Sequence, residues 1–278
     1  MSLHHQSKGL RRDTTLDKFY TKPEVVASCI EHIKTYLRIT DRDIIIEPSA
    51  GNGSFIPGIQ SLCKNILCID IHPDNPTVTQ GDFLQFDASS LVSRYDTLHV
   101  VGNPPFGRQA SLAIKFIKKA SEYCTSISFI LPKSFKKDSM QKHFPVYFHL
   151  IFEENVSDNA FRVNDADHDV PCVFQIWEKR TQERIPVLKL VPNGFTFTKK
   201  TESPDISFRR VGVNAGVVDT VIDTKSEQSH YFIRFQNREK LHDTIQKVSS
   251  IVYTFDNTVG PKSIGKQEVI KEFNAIIR

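Results

Sequence analysis

Four short apolar runs constrain what this chain can fold into. Ile44-Ile45-Ile46 stops at Glu47 and a glycine-bearing loop, and Ile66-Leu67-Cys68-Ile69 stops at Asp70. Leu98-His99-Val100-Val101 leads into Asn103-Pro104-Pro105, and residues 127–131 form the fourth run. A strand wetted on one side alternates polar and apolar residues. Runs that barely alternate are covered on both faces, as in a parallel sheet. Helical spacings lie between them. Residues 23–37 put Val25, Val26, Cys29, Ile30, Ile33 and Leu37 on one stripe behind a proline in the first turn, and residues 111–124 repeat the texture. The pattern predicts an α/β domain with helices on both faces of a parallel sheet. Such sheets bind ligands at the carboxyl ends of their strands.

Past about residue 185 the texture changes. Turn signals at Pro192-Asn193-Gly194, Pro204-Asp205 and Asn214-Ala215-Gly216 punctuate short β-rich pieces. A strand is expected over 230–235 and helices over 237–249 and 265–278. The chain therefore divides into a leader (1–18), the α/β domain (19–184) and a smaller C-terminal α+β module (185–278). Net charge is +4, from 36 basic and 32 acidic side chains. Residues 1–185 hold 22 of each, so the excess falls in the tail. Lysines cluster at Lys115, Lys118, Lys119 and again at Lys133, Lys136, Lys137, Lys142, which suits a polyanion. Five cysteines without a CxxC pair argue against a disulfide scaffold or zinc ribbon and for a reducing, cytoplasmic setting. No apolar run approaches the roughly 20 residues that cross a bilayer, and the polar start does not read as a signal peptide. A monomer or homodimer without a membrane partner is expected.

Two constellations carry chemistry. In the first, Gly51 and Gly53 of Pro48-Ser49-Ala50-Gly51-Asn52-Gly53 permit positive φ and close approach of a ligand to the backbone. Asp70 then ends the next strand, where a carboxylate can accept both hydroxyls of a ribose. Asp82 can accept from an adenine amino group and Phe83 can cover the ring, which is a nucleoside arrangement. Singly, Asp70 and Asp82 read better as caps or loop residues; it is their occurrence together that points to a nucleoside.

The second is Asn103-Pro104-Pro105-Phe106, a tetrapeptide type expected by chance in roughly one chain of this length in several hundred. As structure alone it is a rigid strand-to-helix turn between Gly102 and Gly107. As chemistry it is a donor-free corner. Proline has no N–H, so the Asn103 side-chain oxygen and the Pro104 carbonyl are two fixed acceptors able to grip both hydrogens of a planar amine. Pulling those protons restores the lone pair that the ring withdraws. Phe106 can stack on a base, and its π face suits a sulfonium.

In this order, the Glu47–Gly53 stretch, Asp70, Asp82-Phe83 and Asn103-Pro104-Pro105-Phe106 resemble the S-adenosylmethionine-dependent amino-methyltransferases, most closely the γ-ordered DNA adenine-N(6) group. The resemblance spans about residues 19–180. Phe19-Tyr20-Thr21-Lys22-Pro23 is similar to the family's leading Thr-Pro-type segment, with Lys22 interrupting it. The resemblance implies a Rossmann-like class I methyltransferase domain, S-adenosylmethionine as cofactor and adenine in DNA, ahead of RNA, as substrate. It implies that Thr21, Glu47, Ser49, Gly51, Gly53, Asp70, Asp82 and Phe83 line the cofactor, and that Asn103, Pro104, Pro105 and Phe106 hold the target amine. The loop at Lys133 resembles the one flanking the target pocket, and Phe161 the second aromatic over an extruded base. Arg209 and Arg210, with Lys199, Lys200, Arg234 and Arg238, are candidate phosphate contacts of the tail. The acidic loop 164–169 with His168 reads as a solvated turn, and no metal is expected. Two alternatives remain: the same core acting on a protein glutamine amide, and a catalytically silent nucleic-acid-binding subunit.

Overall fold

A computed structural model describes residues 19–163, 166–185, 187–254 and 262–277. The expected leader (1–18) lies outside the described residues, as do Asn164 and Asp165 of the acidic loop and Arg278 of the last helix.

Seven strands form the central sheet: β1 (Ile44–Glu47), β2 (Ile66–Asp70), β3 (Thr79–Gln80), β4 (Leu98–Gly102), β5 (Ser126–Pro132), β6 (Phe148–Asn155) and β7 (Cys172–Lys179). Their order across the sheet is β3-β2-β1-β4-β5-β7-β6. β1 to β5 run parallel, as the apolar runs predict. One expectation is corrected: the sheet is not parallel throughout, because β7 lies antiparallel between β5 and β6. This order, with its single reversed strand, is a doubly wound, Rossmann-like α/β arrangement.

Neighbouring residues on each strand feed opposite faces. Ile45 of β1, Val101 of β4, Ile130 of β5 and Phe174 of β7 join one core with helices α1 (Pro23–Tyr36) and α2 (Ile56–Leu62). Ile44, Ile46, Val100, Phe129 and Val173 join a second core on the other face. There α3 (Ser89–Arg94) contributes the half-buried Leu91, and α4 (Ser111–Ser121) contributes Ala113, Phe116, Ile117 and Ala120. This is period-two geometry, and it buries both faces of every inner strand. A one-turn helix, α5 (Asp138–Gln141), precedes β6. All five cysteines are buried and unbridged.

A small sheet clasps the carboxyl edge. The strand Tyr20–Thr21 pairs antiparallel with Phe161–Val163, opposing Thr21 to Phe161, and Phe161–Val163 pairs with Ala166–His168. The Lys22 N–H donates to the Ala160 carbonyl at 3.0 Å, fixing where α1 begins.

The C-terminal part is an antiparallel sheet of β8 (Phe195–Thr198), β9 (Ile206–Arg209), β10 (Val218–Asp219) and β11 (His230–Phe235), ordered β8-β11-β9-β10. Helices α6 (Leu241–Ser249) and α7 (Lys266–Ile276) cover it. Phe195, Phe208, Ile233, Val269 and Phe273 form a third core, separate from the other two. Lys137 reaches across to it, donating to the Ser263 carbonyl (3.3 Å) and pairing with Glu268 (3.6 Å). Among the described residues no helix is long and apolar enough to cross a membrane.

Candidate active site

β1 and β4 are neighbours, so the glycine loop and the donor-free corner leave the sheet side by side. Gly51 (φ +50°) and Gly53 (φ +81°) take the left-handed backbone that the loop sequence foreshadows. A Cβ at Gly53 would stand 2.6 Å from Asn75 Nδ2, and one at Gly51 would stand 3.3 Å from the Tyr20 ring. Asp70 holds this loop: its Oδ2 accepts from the Gly51 N–H and its Oδ1 from the His72 N–H, both at 2.8 Å.

At the corner, the Ser49 hydroxyl donates to the Asn103 carbonyl (3.1 Å). The Asn103 side-chain amide donates through Nδ2 to Thr21 Oγ1 (3.3 Å), and Thr21 is itself buried. This leaves Asn103 Oδ1 buried with no hydrogen-bond partner among the described residues. Pro104 is buried, Pro105 exposed and Phe106 half-buried, so the corner opens to solvent at its tip. The Phe106 carbonyl accepts from the Leu112 N–H (3.0 Å), capping α4. Gln109 and Ala110, between corner and helix, adopt φ of +54° and +61° without being glycine.

Glu47 holds the second unpartnered buried oxygen. It is 2% exposed and its Oε2 also lacks a partner. Burial is the main cause that pushes its carboxyl up to about 8, with the nearby Asp70 charge adding to it. Gly102 (φ +152°) adjoins it: a Cβ there would lie 3.4 Å from Glu47 Cγ. An unsatisfied buried acceptor costs on the order of 1–3 kcal/mol. Two unpartnered buried oxygens, Asn103 Oδ1 and Glu47 Oε2, thus stand at adjacent strand ends.

Three sequence expectations are corrected. Phe83 is 1% exposed and packs against Phe116 (5.3 Å between centroids) and Phe86, so its ring belongs to the second core rather than covering a ligand. Phe161 is likewise 1% exposed, inside the first core, because its strand pairs with Thr21 and turns the ring inward; it cannot stack on an extruded base. Exposed Phe19 meets its edge instead. Arg209 and Arg210 are committed internally: Arg209 donates to the Val211 carbonyl and Ser229, and Arg210 twice to the Gln228 carbonyl, so both brace loops. Asp82 stays exposed, accepting from Leu84 N–H as a cap, and Lys133 sits half-buried just beyond β5. In the acidic loop, Asp167 pairs with Lys22 at 2.8 Å.

No protein-family model matches this chain, and no curated protein matches it in sequence. Among solved structures, it is similar to a Pyrococcus horikoshii protein carried under a provisional RNA methyltransferase name, at 17% identity and TM-score 0.46 over 62% of this chain and 92% of that one. It is similar to the 23S rRNA methyltransferase ErmE at 12% identity and TM-score 0.43, over 60% of this chain and 72% of that one. A dimethyladenosine transferase from Plasmodium falciparum aligns at 14% identity and TM-score 0.41, over 59% of this chain and 64% of that one.

Two contributors escaped the sequence reading. Tyr20 lays its ring over Gly51 and donates its phenol to Asp74. Cys68 meets the Glu47 carboxyl, and its thiol is pushed up to about 12, by burial first and then by Glu47. Tyr20 stands beside Thr21 in the leading segment, the one signal available for it; for Cys68 there was none.

Proposed function

We propose that this chain transfers a methyl group from S-adenosylmethionine to the exocyclic amino group of an adenine in nucleic acid, DNA ahead of RNA. The observation that carries the reading is Asn103 Oδ1: buried, unpartnered, and fixed in orientation because Thr21 occupies the other end of the same amide. An amide held that way accepts one hydrogen of an incoming –NH₂, and the Pro104 carbonyl accepts the other.

The residues around the corner fit the cofactor. The left-handed Gly51 and Gly53 hold the loop in a turn that a Cβ would crowd against Tyr20 and Asn75, and the orphaned Glu47 carboxyl lies at the neighbouring strand end. Ser49 and Asp70 complete the lining, and Thr21 holds the Asn103 amide. When bound, S-adenosylmethionine supplies an electrophilic methyl carbon on a sulfonium. Asn103 and Pro104 would pull the amine protons aside and so leave the nitrogen lone pair free to take the methyl group, which the sulfonium would give up on becoming a neutral thioether. The same two acceptors stabilise the positive charge that builds on the nitrogen, which is where preorganised dipoles contribute most. The surplus proton then leaves to water at the exposed Pro105 side. In this reading residues 19–184 carry the transfer, and residues 185–278 form an interaction module.

The test is a transfer assay with labelled methyl donor and, separately, duplex DNA, single-stranded DNA, structured RNA and cell protein, followed by digestion to monomers. N6-methyladenine is the expected product. Asn103→Ala should cut the rate by about 10²–10³ while calorimetry shows unchanged donor affinity. Label in glutamine, or full turnover by the variant, would refute the reading.

A further inference from the structure

We infer that the exposed face of α4, continued by Arg108 and Lys142, is a track for the phosphodiester backbone of the nucleic-acid substrate; this rests on the proposed function and names the surface that reading lacks. α4 turns Ala113, Phe116, Ile117 and Ala120 into the core, which leaves Lys115 and Lys118 on the solvent face. Three residues apart on a helix, they are neighbours about 5–6 Å apart. Arg108, exposed, lies in the turn joining the corner to the helix. At the other end, exposed Lys142 and Lys118 both act on the ring of His143, which burial and then these two charges hold below its ordinary value.

Their charge is also uncompensated. None of Arg108, Lys115, Lys118 and Lys142 has an ion-pair partner among the described residues. Lys119, one position further round the helix, is neutralised by Glu122 at 2.9 Å. Four cations of the C-terminal module are committed: Arg238 to Asp205 (2.6 Å), Lys225 to Asp219 (2.6 Å), Arg234 to the Ser203 carbonyl and Lys200 to two carbonyls. Uncompensated like charges repel one another and raise the local concentration of a polyanion. These begin beside the corner, since the Phe106 carbonyl caps the first turn of α4. Eleven helical residues span about 16 Å, which is about five phosphates of one strand. A strand whose base sits at the corner thus passes Arg108, then Lys115 and Lys118.

The full chain carrying Lys115→Gln, Lys118→Gln and Lys142→Gln together tests this by fluorescence anisotropy, against a labelled DNA duplex and an RNA duplex of the same sequence between 50 and 200 mM salt. The expected result is a slope of log affinity against log salt smaller by about 2 to 3, with affinity at 50 mM down at least tenfold for whichever duplex the native chain binds. Lys225→Gln, whose side chain is paired with Asp219, should leave slope and affinity unchanged, and donor affinity should persist in the triple variant. A native chain that binds neither duplex at 50 mM, or a triple variant with an unaltered slope, overturns the track. Binding is read separately from transfer. Lost binding in a chain that methylates nothing leaves the track and removes the reaction; methylation with an unaltered slope does the reverse.

Discussion

At the scale of single residues, the site concentrates groups that are costly where they stand. Glu47 is the clearest case, because its cost depends on pH. The folded chain holds its proton up to about 8, whereas an ordinary glutamate releases it near 4.5. Between those values the unfolded chain binds fewer protons than the folded one, so each step up in pH favours unfolding. This contribution to stability is whole below about 4.5 and disappears as pH rises through about 8. Thermal midpoints measured from pH 5 to pH 9 should fall for the native chain more steeply than for Glu47→Gln; parallel curves would exclude it. Thr21 acts through Asn103 and is a positioning residue. Thr21→Val keeps the shape but leaves Nδ2 without its acceptor, so the amide is free to turn over. The rate should drop about tenfold or more with KM for donor nearly unchanged, and a rise in KM alone would mean that Thr21 merely lines the cofactor. Readability followed the same division at this scale. Asn103 and its prolines declare their chemistry in the letters, since a missing N–H is a property of the residue. Phe83 and Phe161 did not, because which way an aromatic ring faces is decided by the neighbours it packs on.

At the scale of elements, the long ones were readable and the short ones were not. α1, β1, β2, β4, β5 and α4 carry enough apolar residues to show a period, and each appears within a residue or three of its expected bounds. The Tyr20–Thr21 strand and its three-residue partners are too short to show one. β6 sits at the sheet edge with most of its residues half-buried, so its pattern is blurred. The reversal of β7 is set by where β6 ends, not by composition. The glycine loop gives the element-scale prediction. Gly53→Ala asks an alanine for φ +81° and drives its Cβ to 2.6 Å from Asn75 and 2.8 Å from Ile56. Denaturant unfolding should show a loss of more than about 1 kcal/mol, with weaker donor binding by calorimetry. A neutral effect would mean the loop relaxes freely.

At the scale of the molecule, three hydrophobic cores share one chain. The third core draws only on residues 195–277, and the stretch leading into it is pinned by side chains: Gln267 accepts from Leu190 N–H and donates to its carbonyl, and Asn274 does the same for Asn193 N–H and the Val191 carbonyl. Phe273→Ala empties the middle of that core, at a cost of about 3–5 kcal/mol. Hydrogen exchange should then accelerate in β8, β9 and β11 while β1, β4 and β5 keep their protection. Uniform acceleration would show instead that the cores unfold as one. The change of texture near residue 185 is what suggests a division, and the tail's arginines were misjudged, because a sequence shows charge without showing who already neutralises it.

The left-handed pair Gln109-Ala110 has an evolutionary implication. Two side-chain-bearing residues in that conformation each hold roughly 1–3 kcal/mol of strain, and the turn they make locks the proline corner to the start of α4. Glycine at either position would release it. A laboratory lineage selected for heat tolerance alone should therefore accumulate glycine at these two positions, and its turnover should decay as its melting point climbs.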